Sequence, residues 1–354
     1  METIDNQKYS KHEKNRTEKE IILSVNDVKK WFPINEQSIL FSKTVAFVKA
    51  VNGISFDLYK GETLGLVGES GCGKSTLAKL IMGLEEVTEG VIEYRNKNVN
   101  TNDELEKRIY KGNVQMIFQD PFSSLNPRMT IYDILKEPYL VQGEIGKKMD
   151  IEELIYSEDG IKERIMKLLN VVGLENYHAL RYPHEFSGGQ RQRVGIARSL
   201  AMSPEIIVAD EPVSALDVSI QAQILNLLKE IQGRFDLTYL FIAHDLSVVK
   251  HVSDRILVMY LGKAMELAPR DVLYEKPSHP YTISLLSAIP RVNPKERKDR
   301  IILEGDVPSP ISPPSGCVFS SRCYKVQDKC KTEVPEFKQI NKEHFVACFY
   351  PENI

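Results

Sequence analysis

One glycine-rich segment constrains the fold of this chain more than any other feature: it runs in unbroken order through Gly68, Glu69, Ser70, Gly71, Cys72, Gly73, Lys74, Ser75 and Thr76. The segment fits the phosphate-loop pattern G-x-x-x-x-G-K-[ST] in full. The apolar run Thr63–Val67 before it predicts a buried strand. Apolar residues at helical spacing follow it: Leu77, Leu80, Ile81 and Leu84. We therefore predict a strand, a tight turn and a helix in direct succession.

The chemistry of this segment favours bound phosphate. Backbone N–H groups at a helix N-terminus attract anions, and the helix dipole adds to the attraction. Lys74 is placed to reach the β- and γ-phosphates of ATP, and the Ser75 hydroxyl is placed to ligate Mg²⁺. A glycine-rich turn without a ligand is the alternative, but the flanking strand and helix argue against it.

Composition excludes several classes of protein. The 354 residues are 42% hydrophobic and 27% charged, which suits a globular chain of two or three domains. The net charge of −3 argues against a general nucleic-acid binder, so we expect no nucleic acid as partner. No apolar run has the length of a membrane-spanning helix, and no secretory signal opens the sequence. Residues 1–20 are nearly all polar, and we predict a disordered tail there.

Strand and helix patterns alternate along the chain. Residues 22 to about 59 are rich in strand formers, and Val45–Leu58 is a candidate hairpin that turns at Gly53. From about residue 123 to 190 the pattern becomes helical. Buried strands then return at Ile206–Ala209, Tyr239–Ala243 and Arg255–Tyr260. The alternation predicts an α/β fold, with a parallel sheet covered by helices and interrupted by an inserted helical subdomain.

Two acidic residues end one of these strands. Asp210 and Glu211 directly follow the apolar residues of Ile206–Ala209. The carboxyl ends of parallel strands border the crevice where such sheets bind ligands. Asp210 is therefore a candidate for holding Mg²⁺, directly or through water, and Glu211 for activating the attacking water as a general base. The alternative is a solvated acidic strand end, which the neighbouring phosphate loop makes the weaker interpretation.

A second candidate phosphate contact lies at Ser187, Gly188, Gly189 and Gln190, before a helical run. The hydroxyl and the exposed N–H groups of such a helix start can touch a γ-phosphate. Taken by itself, this segment is better explained as an ordinary helix N-cap.

The order of these motifs resembles that of the ATP-binding subunits of ABC transporters, over about residues 22–267. The matching features are the phosphate loop, Ser187–Gln190, Asp210 with Glu211, Ser214–Asp217 and His244. Phe186 stands where that family usually has Leu. The resemblance implies a P-loop NTPase core of ABC type at residues 21–267. In that core a mixed sheet carries helices on both faces, with an N-terminal antiparallel β subdomain and an inserted helical subdomain at about residues 123–190.

The resemblance also implies roles for single residues. Gln119 resembles the glutamine that contacts Mg²⁺ and the attacking water, and His244 the histidine that bonds the γ-phosphate. Asp217 resembles a residue that links the two sites of a dimer. Phe32, with Trp31 as the alternative, stands where the family has an aromatic that stacks on adenine; either could instead be a core aromatic.

The partners, too, are implied by the resemblance. In this family two ATPase subunits pair head to tail, and each ATP lies between the phosphate loop of one and the Ser187-type segment of the other. We therefore expect a second ABC ATPase subunit in a heterodimer and two transmembrane permease subunits. The expected location is the cytoplasmic face of the cell membrane, where the chain is a peripheral subunit.

Residues 268–354 form a predicted C-terminal extension that is rich in Pro and Ser. Pro277–Thr282 and Gly305–Pro310 resemble the tail of oligopeptide and dipeptide importer ATPases, as does Gln119–Arg128 in the core. Such importers have two ATPase subunits, and Trp31–Pro33 and Gly71–Gly73 resemble the second of them, the F-type subunit. We predict an ATP-hydrolysing subunit that energises peptide import, and we expect an extracytoplasmic peptide-binding protein as a further partner. A nickel or glutathione importer of the same subfamily is the alternative. A soluble ABC ATPase of DNA repair or translation, or a scaffold with inactive motifs, fits less well.

Four of the five cysteines lie in this extension, at Cys317, Cys323, Cys330 and Cys348. Four thiolates suit a structural zinc or an iron–sulfur cluster, but the wide gaps fit common zinc knuckles poorly. Some members of the resembling family carry a [4Fe-4S] cluster in this region. We therefore expect a [4Fe-4S] cluster, with Zn²⁺ or free thiols as alternatives, and we expect no disulfide bonds.

Overall fold

The computed structural model describes residues 19–37, 42–120, 122–148, 157–289 and 300–353. All but the last two residues of the predicted disordered tail lie outside these ranges. The strands form two sheets, one of four strands and one of eight. Within the described residues, no helix combines the length and apolarity needed to cross a membrane.

The eight-stranded sheet has a parallel centre and an antiparallel edge. In their order across the sheet, its strands are β11 Lys338–Asn341, β12 His344–Val346, β10 Lys263–Pro269, β9 Arg255–Tyr260, β3 Thr63–Val67, β8 Thr238–Ala243, β7 Ile206–Asp210 and β6 Val114–Ile117. Strands β6, β7, β8, β3 and β9 pair in parallel, whereas β10, β12 and β11 pair antiparallel.

Helices cover this sheet. Their bounds are α1 Lys74–Ile81, α2 Glu104–Asn113, α3 Ile131–Lys148, α4 Glu158–Val171, α5 Gly188–Leu200, α6 Val218–Phe235, α7 Leu246–Val252, α8 Arg270–Glu275, α9 Pro280–Ser287 and α10 Asp328–Thr332. Alternate strand residues enter two separate cores. Ile207 and Phe241 pack with residues of α5 and α6, while Val208 and Ile242 pack with residues of α1 and of the smaller sheet. A sheet buried on both faces is what the continuous apolar strands predict, and that prediction is confirmed.

The smaller sheet is antiparallel and contains one long strand where the sequence predicted a hairpin. Its strands are β1 Ile21–Gln37, β2 Ser42–Tyr59, β4 Glu89–Tyr94 and β5 Lys97–Asn98, in the order β2, β1, β4, β5. The hairpin prediction for Val45–Leu58 was wrong, because β2 continues through Gly53. Gly53 has φ +85° beside an irregularity in β1, where Asp27 has φ +45°. The two positions together form a bulge, which bends the strands without ending them.

The first helix is shorter than its apolar spacing predicted. Leu77, Leu80 and Ile81 are buried on α1, but the helix ends at Ile81 and Leu84 is 60% exposed. Gly83, with φ +63°, follows the helix end and reverses the chain. The predicted helical region from about residue 123 contains α3 and α4, and Ile161 and Ile165 are buried on α4.

The C-terminal extension joins the main sheet through its last strands. β12 pairs with β10 of the core, and β11 pairs with β12. The carboxylate of Glu266, on β10, is fully buried and accepts the backbone N–H groups of Ser278 and His279 at 2.8 and 2.9 Å. His344 Nε2 lies 2.8 Å from the same carboxylate. One buried acid therefore connects three segments of the chain, and its hydrogen bonds offset the cost of burying it.

Candidate active site

The phosphate loop lies between β3 and α1, as predicted, and its backbone depends on glycine. Gly73 is the N-cap of α1 with φ +104°, a left-handed conformation that other residues rarely adopt. A Cβ at this position would lie 2.1 Å from the carbonyl oxygen of Ala50, so the loop also approaches β2 too closely for a side chain. Gly71, with φ +76°, faces open space. The loop is therefore tightly fixed at its helix end and open at its centre.

Lys74 is a buried cation that contacts no carboxylate among the described residues. Its side chain is 6% exposed, and Nζ donates to the carbonyl oxygens of Gly68 and Glu69 at 2.8 and 3.0 Å. Its third neighbour is Cys72 Sγ at 3.8 Å. A buried ammonium group is costly unless it is paired. The loop thus carries a positive charge that a bound anion would compensate, which fits a nucleotide phosphate.

Ser75 and Asp210 bring a hydroxyl and a carboxylate together beside the loop. The Ser75 hydroxyl donates to Asp210 Oδ1 at 3.5 Å, and Asp210 is 7% exposed at the end of β7. Burial raises the pKa of Asp210; the Ser75 hydrogen bond opposes the shift, Glu211 adds to it and Lys74 opposes it. Oxygen ligands of this kind suit Mg²⁺. A divalent cation there would favour the ionised carboxylate that burial disfavours.

Glu211, Gln119 and His244 meet at the carboxyl ends of three neighbouring strands. Gln119 Nε2 donates to Glu211 Oε2 at 3.0 Å, and His244 Nδ1 lies 3.2 Å from the same oxygen. These residues follow β6, β7 and β8, which are adjacent in the sheet. Glu211 has φ +45°, and its N–H is held by the carbonyl oxygen of Ile242 at 3.0 Å. A strained backbone conformation of this kind persists only where the surrounding structure fixes it, and such positions often lie at functional sites.

The segment Ser187–Gln190 forms the start of α5. Ser187 is the N-cap; its Oγ accepts the N–H of Gln190 at 3.4 Å, and Gln190 Oε1 accepts the N–H of Ser187 at 3.0 Å. Gly189 packs against α6, because a Cβ there would lie 2.6 Å from Ile220 Cγ2. The exposed Asp217 is the N-cap of α6 and its side chain caps no N–H group of the helix. The side-chain hydrogen bonds of Ser187 and Gln190 join these two residues to each other, and within the described part of the chain neither side chain bonds to the phosphate loop.

The aromatic candidates for base stacking lie half-buried on β1. Lys30 Nζ lies 4.9 Å from the ring centroid of Phe32. Trp31 Nε1 donates to Asn52 Oδ1 at 3.2 Å, and Lys49 Nζ lies 5.6 Å from its ring. Neither ring is part of the buried core, so both retain an exposed face.

Two residues of the extension contact the phosphate loop, and sequence reasoning missed both. The Tyr281 hydroxyl accepts the Glu69 N–H at 3.0 Å, and Arg322 donates to both carboxylate oxygens of Glu69, at 2.6 and 3.2 Å. They are 212 and 253 residues away from Glu69 along the chain, a separation at which no local pattern signals a contact.

The four cysteines of the extension line one small cavity, together with His279 and Phe319. Cys317 and Cys330 are buried, and all four are free thiols. Burial raises the pKa of Cys317 and of Cys348 to about 11, and it also raises the pKa of Cys323. Across the described ranges, no group of three or more His, Cys, Asp or Glu side chains is arranged to hold a metal ion. The thiols thus share a cavity but are not in direct metal-ligand geometry.

Comparison with family models finds two matches that divide the chain. Residues 51–214 match the ABC transporter family, and residues 265–330 match the oligopeptide/dipeptide transporter C-terminal region. The first match contains the phosphate loop, Ser187–Gln190 and the Asp210–Glu211 pair. The second contains Tyr281 and Arg322.

Curated relatives match over nearly their whole length. The oligopeptide transport ATP-binding protein AppF of Bacillus subtilis is 53% identical over 93% of this chain and 97% of its own length. The oligopeptide transport ATP-binding protein OppF of Haemophilus influenzae is 50% identical over the same shares. The dipeptide transport ATP-binding protein DppF of that organism is 44% identical over 93% of this chain and 96% of its own.

Solved structures of ATP-binding cassettes share the fold. A dimeric post-hydrolysis state of the cassette MJ0796, bound to ADP and Pi, matches with a TM-score of 0.59 and 27% identity, over 70% of this chain and 98% of the other. The ADP conformation of the cassette MJ1267 matches with a TM-score of 0.57 and 27% identity, over 72% and 94%. Both matches are consistent with the predicted α/β fold of ABC type, which is confirmed.

Proposed function

This chain belongs to the ATP-binding proteins of the ABC transporter family, in the group that carries the oligopeptide/dipeptide transporter C-terminal region, and on that basis we propose that it hydrolyses ATP to energise peptide import through a membrane transporter. The observation that carries the proposal is the convergence of Gln119, Glu211 and His244 beside a phosphate loop. The buried Lys74 of this loop contacts no carboxylate among the residues that the structure describes. The names of its relatives support the substrate class.

We assign the steps of hydrolysis to these residues. Lys74 and the N–H groups of Gly71, Cys72 and Gly73 hold the phosphates, with Ser75 and Asp210 as ligands of Mg²⁺. Mg²⁺ bound there would neutralise negative charge on the phosphates. Glu211 takes the proton of the attacking water as general base. Gln119 and His244 hold the carboxylate of Glu211 in place. We propose that Gln119 also contacts Mg²⁺ and the attacking water, and that His244 bonds the γ-phosphate.

We further propose that two such sites form between paired ATPase subunits. Ser187–Gln190 and Asp217 lie at the exposed starts of α5 and α6, where they are available to a second subunit. The dimeric MJ0796 structure with ADP and Pi supports this arrangement by analogy. In the proposed pair, Ser187, Gly188, Gly189 and Gln190 of one subunit would contact the γ-phosphate that the phosphate loop of the other subunit holds.

The proposed assembly follows from the group to which the chain belongs. It contains a second ATPase subunit, two permeases and an extracytoplasmic peptide-binding protein, and the chain lies at the cytoplasmic face of the membrane. We also propose that Phe32 stacks on adenine and that the chain divides into an ATPase domain at residues 21–267 and an extension at 268–354. Nickel or glutathione import is the alternative within the same subfamily. The relatives named for oligopeptides and dipeptides favour peptides.

A glutamine at position 211 tests the hydrolytic role. Glu211→Gln keeps the hydrogen bond to Gln119 or His244 but removes the base, so we expect ATP binding to persist. Turnover should fall by about 100-fold or more, and with ATP the subunits should stay paired. ATP hydrolysis by the transporter complex and size-exclusion chromatography measure these outcomes.

The matched control is Glu230→Gln, an exposed acid on α6, which should hydrolyse ATP at the normal rate. Normal hydrolysis by Glu211→Gln would contradict the role of general base. Failure of the wild-type complex to bind ATP would contradict the whole proposal.

For the cysteine cavity we propose a [4Fe-4S] cluster, with Zn²⁺ as the alternative. The support is that four thiols line one cavity, which is the ligand set that such a cluster needs. Protein purified without oxygen should be brown and hold about four irons per chain. Cys317→Ser should lose the iron, whereas Cys72→Ser, outside the cavity, should keep it. A colourless protein that contains zinc would contradict the cluster.

A further inference from the structure

The C-terminal extension contributes two side chains to the phosphate loop. Arg322 and Glu69 form a bidentate ion pair, in which Nη1 donates to Oε2 at 2.6 Å and Nη2 donates to Oε1 at 3.2 Å. The Arg322 side chain is 9% exposed and that of Glu69 is 27% exposed. A planar guanidinium bound to both oxygens of a partly buried carboxylate is among the stronger ion pairs in proteins. It therefore differs from the exposed pairs elsewhere on this chain.

Aromatic packing fixes the second contact. Tyr281 is fully buried, and its ring lies 4.8 Å from that of Tyr260 and 5.2 Å from that of Phe319. Its hydroxyl accepts the Glu69 N–H, and the Tyr260 hydroxyl accepts from Arg322 Nη1 at 3.4 Å. Tyr281 thus holds the backbone of Glu69 and Arg322 holds its carboxylate, while Tyr260 of β9 contacts Arg322.

The charge of Glu69 explains why such contacts matter. Glu69 lies inside the loop whose other groups attract phosphate, so its carboxylate opposes the binding of a polyanion. Arg322 supplies the compensating positive charge, and the carbonyl oxygen of Glu69 also accepts from Lys74. Displacement of Glu69 would therefore leave a repulsive charge beside the phosphates and would disturb the partner of the phosphate-binding lysine.

We propose that Arg322 and Tyr281 are positioning residues for nucleotide binding, which act through Glu69, so that the C-terminal extension completes the phosphate-binding loop. The ABC core alone lacks both residues. This inference rests on the proposed function, because it assumes that the loop binds ATP.

Arg322→Gln tests the inference through binding. Isothermal titration of the full chain with ATP and Mg²⁺ should show about tenfold weaker affinity, because one part-buried charge is left uncompensated. In the transporter complex, KM for ATP should rise by a similar factor while kcat stays within about twofold, because the hydrolytic residues are unchanged. Arg322→Lys should retain part of the affinity, and Tyr281→Phe should lose about threefold.

A double variant separates charge compensation from a purely structural role. Glu69→Gln removes the repulsive charge, so the pair Glu69→Gln with Arg322→Gln should bind ATP within about threefold of the wild type. Lys331→Gln, which removes an exposed cation of the same extension, is the control and should bind as the wild type does.

The outcomes distinguish this inference from the proposed function. Unchanged ATP affinity in Arg322→Gln, or no recovery in the double variant, overturns the inference and leaves the proposed function standing. Absence of ATP binding in the wild type overturns both. Circular dichroism of each variant shows whether a loss of affinity follows from a loss of structure.

Discussion

The candidate active site and the cysteine cavity each bring together residues from separate segments of the chain, but the two sites are built on different kinds of backbone. The candidate active site lies where β3, β6, β7 and β8 end side by side in one parallel sheet. Cys317, Cys323 and Cys348 lie on irregular segments, and Cys330 lies within the five-residue α10. The backbone N–H of Cys317 donates to the carbonyl oxygen of Cys330 at 2.8 Å.

This difference shows how much of each site's side-chain geometry is fixed without a bound ligand. In the sheet, neighbouring strands fix Glu211, Gln119 and His244 within hydrogen-bond distance of one another. In the extension the thiols border one cavity without metal-ligand geometry among the described residues. Ligand geometry on irregular backbone commonly forms together with the bound metal. We therefore expect the active site to be sensitive to single side chains and the cavity to be sensitive to packing.

The largest expected effect is at Lys74. Lys74→Ala removes the buried cation of the loop, and ATP affinity measured by titration should fall by at least about 100-fold, because both direct phosphate contact and local charge are lost. The metal content proposed for the cysteine cavity should stay unchanged. Lys107→Ala, an exposed lysine on α2, is the control and should bind ATP normally. Affinity within threefold of the wild type would contradict the assignment of Lys74.

Local patterns predicted the parts of the fold that depend on local chemistry. Contiguous residues predicted the strand, loop and helix around Gly73. The apolar run of β7 predicted that Asp210 and Glu211 lie at the carboxyl end of a buried strand. The hairpin at Gly53 was wrong because a glycine with positive φ also fits a bulge, and only pairing with β1 decides between the two. The contacts of Glu69 could not be predicted, since they join residues more than 200 positions apart. The extension is attached through contacts of this long-range kind.

The next expected effect is at Phe319, which lies between the two regions. Its ring is fully buried, contacts Tyr260 and Tyr281 on the loop side, and lines the cysteine cavity on the other. Phe319→Ala should lower the free energy of unfolding by about 3 to 5 kcal/mol, from lost burial and a residual void. Urea unfolding measures the loss of stability. Titration with ATP measures whether the affinity falls when Tyr281 is no longer held by Phe319.

Phe337→Ala is the matched control for this variant. Phe337 is half-buried and stacks on Phe345 at 5.8 Å, away from the loop. Its loss should cost less stability and leave ATP affinity unchanged. If Phe319→Ala binds ATP as tightly as this control does, then the aromatic cluster does not connect the two regions.

The smallest expected effect is a pH dependence that arises at His279. This residue is 1% exposed, and burial lowers its pKa to about 4, although the nearby Glu266 carboxylate and a backbone hydrogen bond to Ala347 oppose the shift. The unfolded chain therefore binds a proton between about pH 6.5 and pH 4 that the folded chain does not. Stability is complete above pH 6.5 and should fall by about 1 to 3 kcal/mol as the pH drops through this range.

The physical reason lies in the start of α9. His279 is its N-cap, and Nδ1 accepts the N–H of Tyr281 at 3.0 Å, which a protonated ring cannot do. His279→Asn keeps an acceptor for that N–H and does not titrate. Unfolding measured from pH 7 to pH 4.5 should lose part of its slope in this variant but keep it in His251→Asn, where the histidine is exposed. Equal slopes in both variants would show that groups other than His279 cause the loss of stability at low pH. If the slope is reduced in His279→Asn and the wild type also binds ATP more weakly at low pH, then protonation of the buried His279 ring affects Tyr281 and, through it, Glu69.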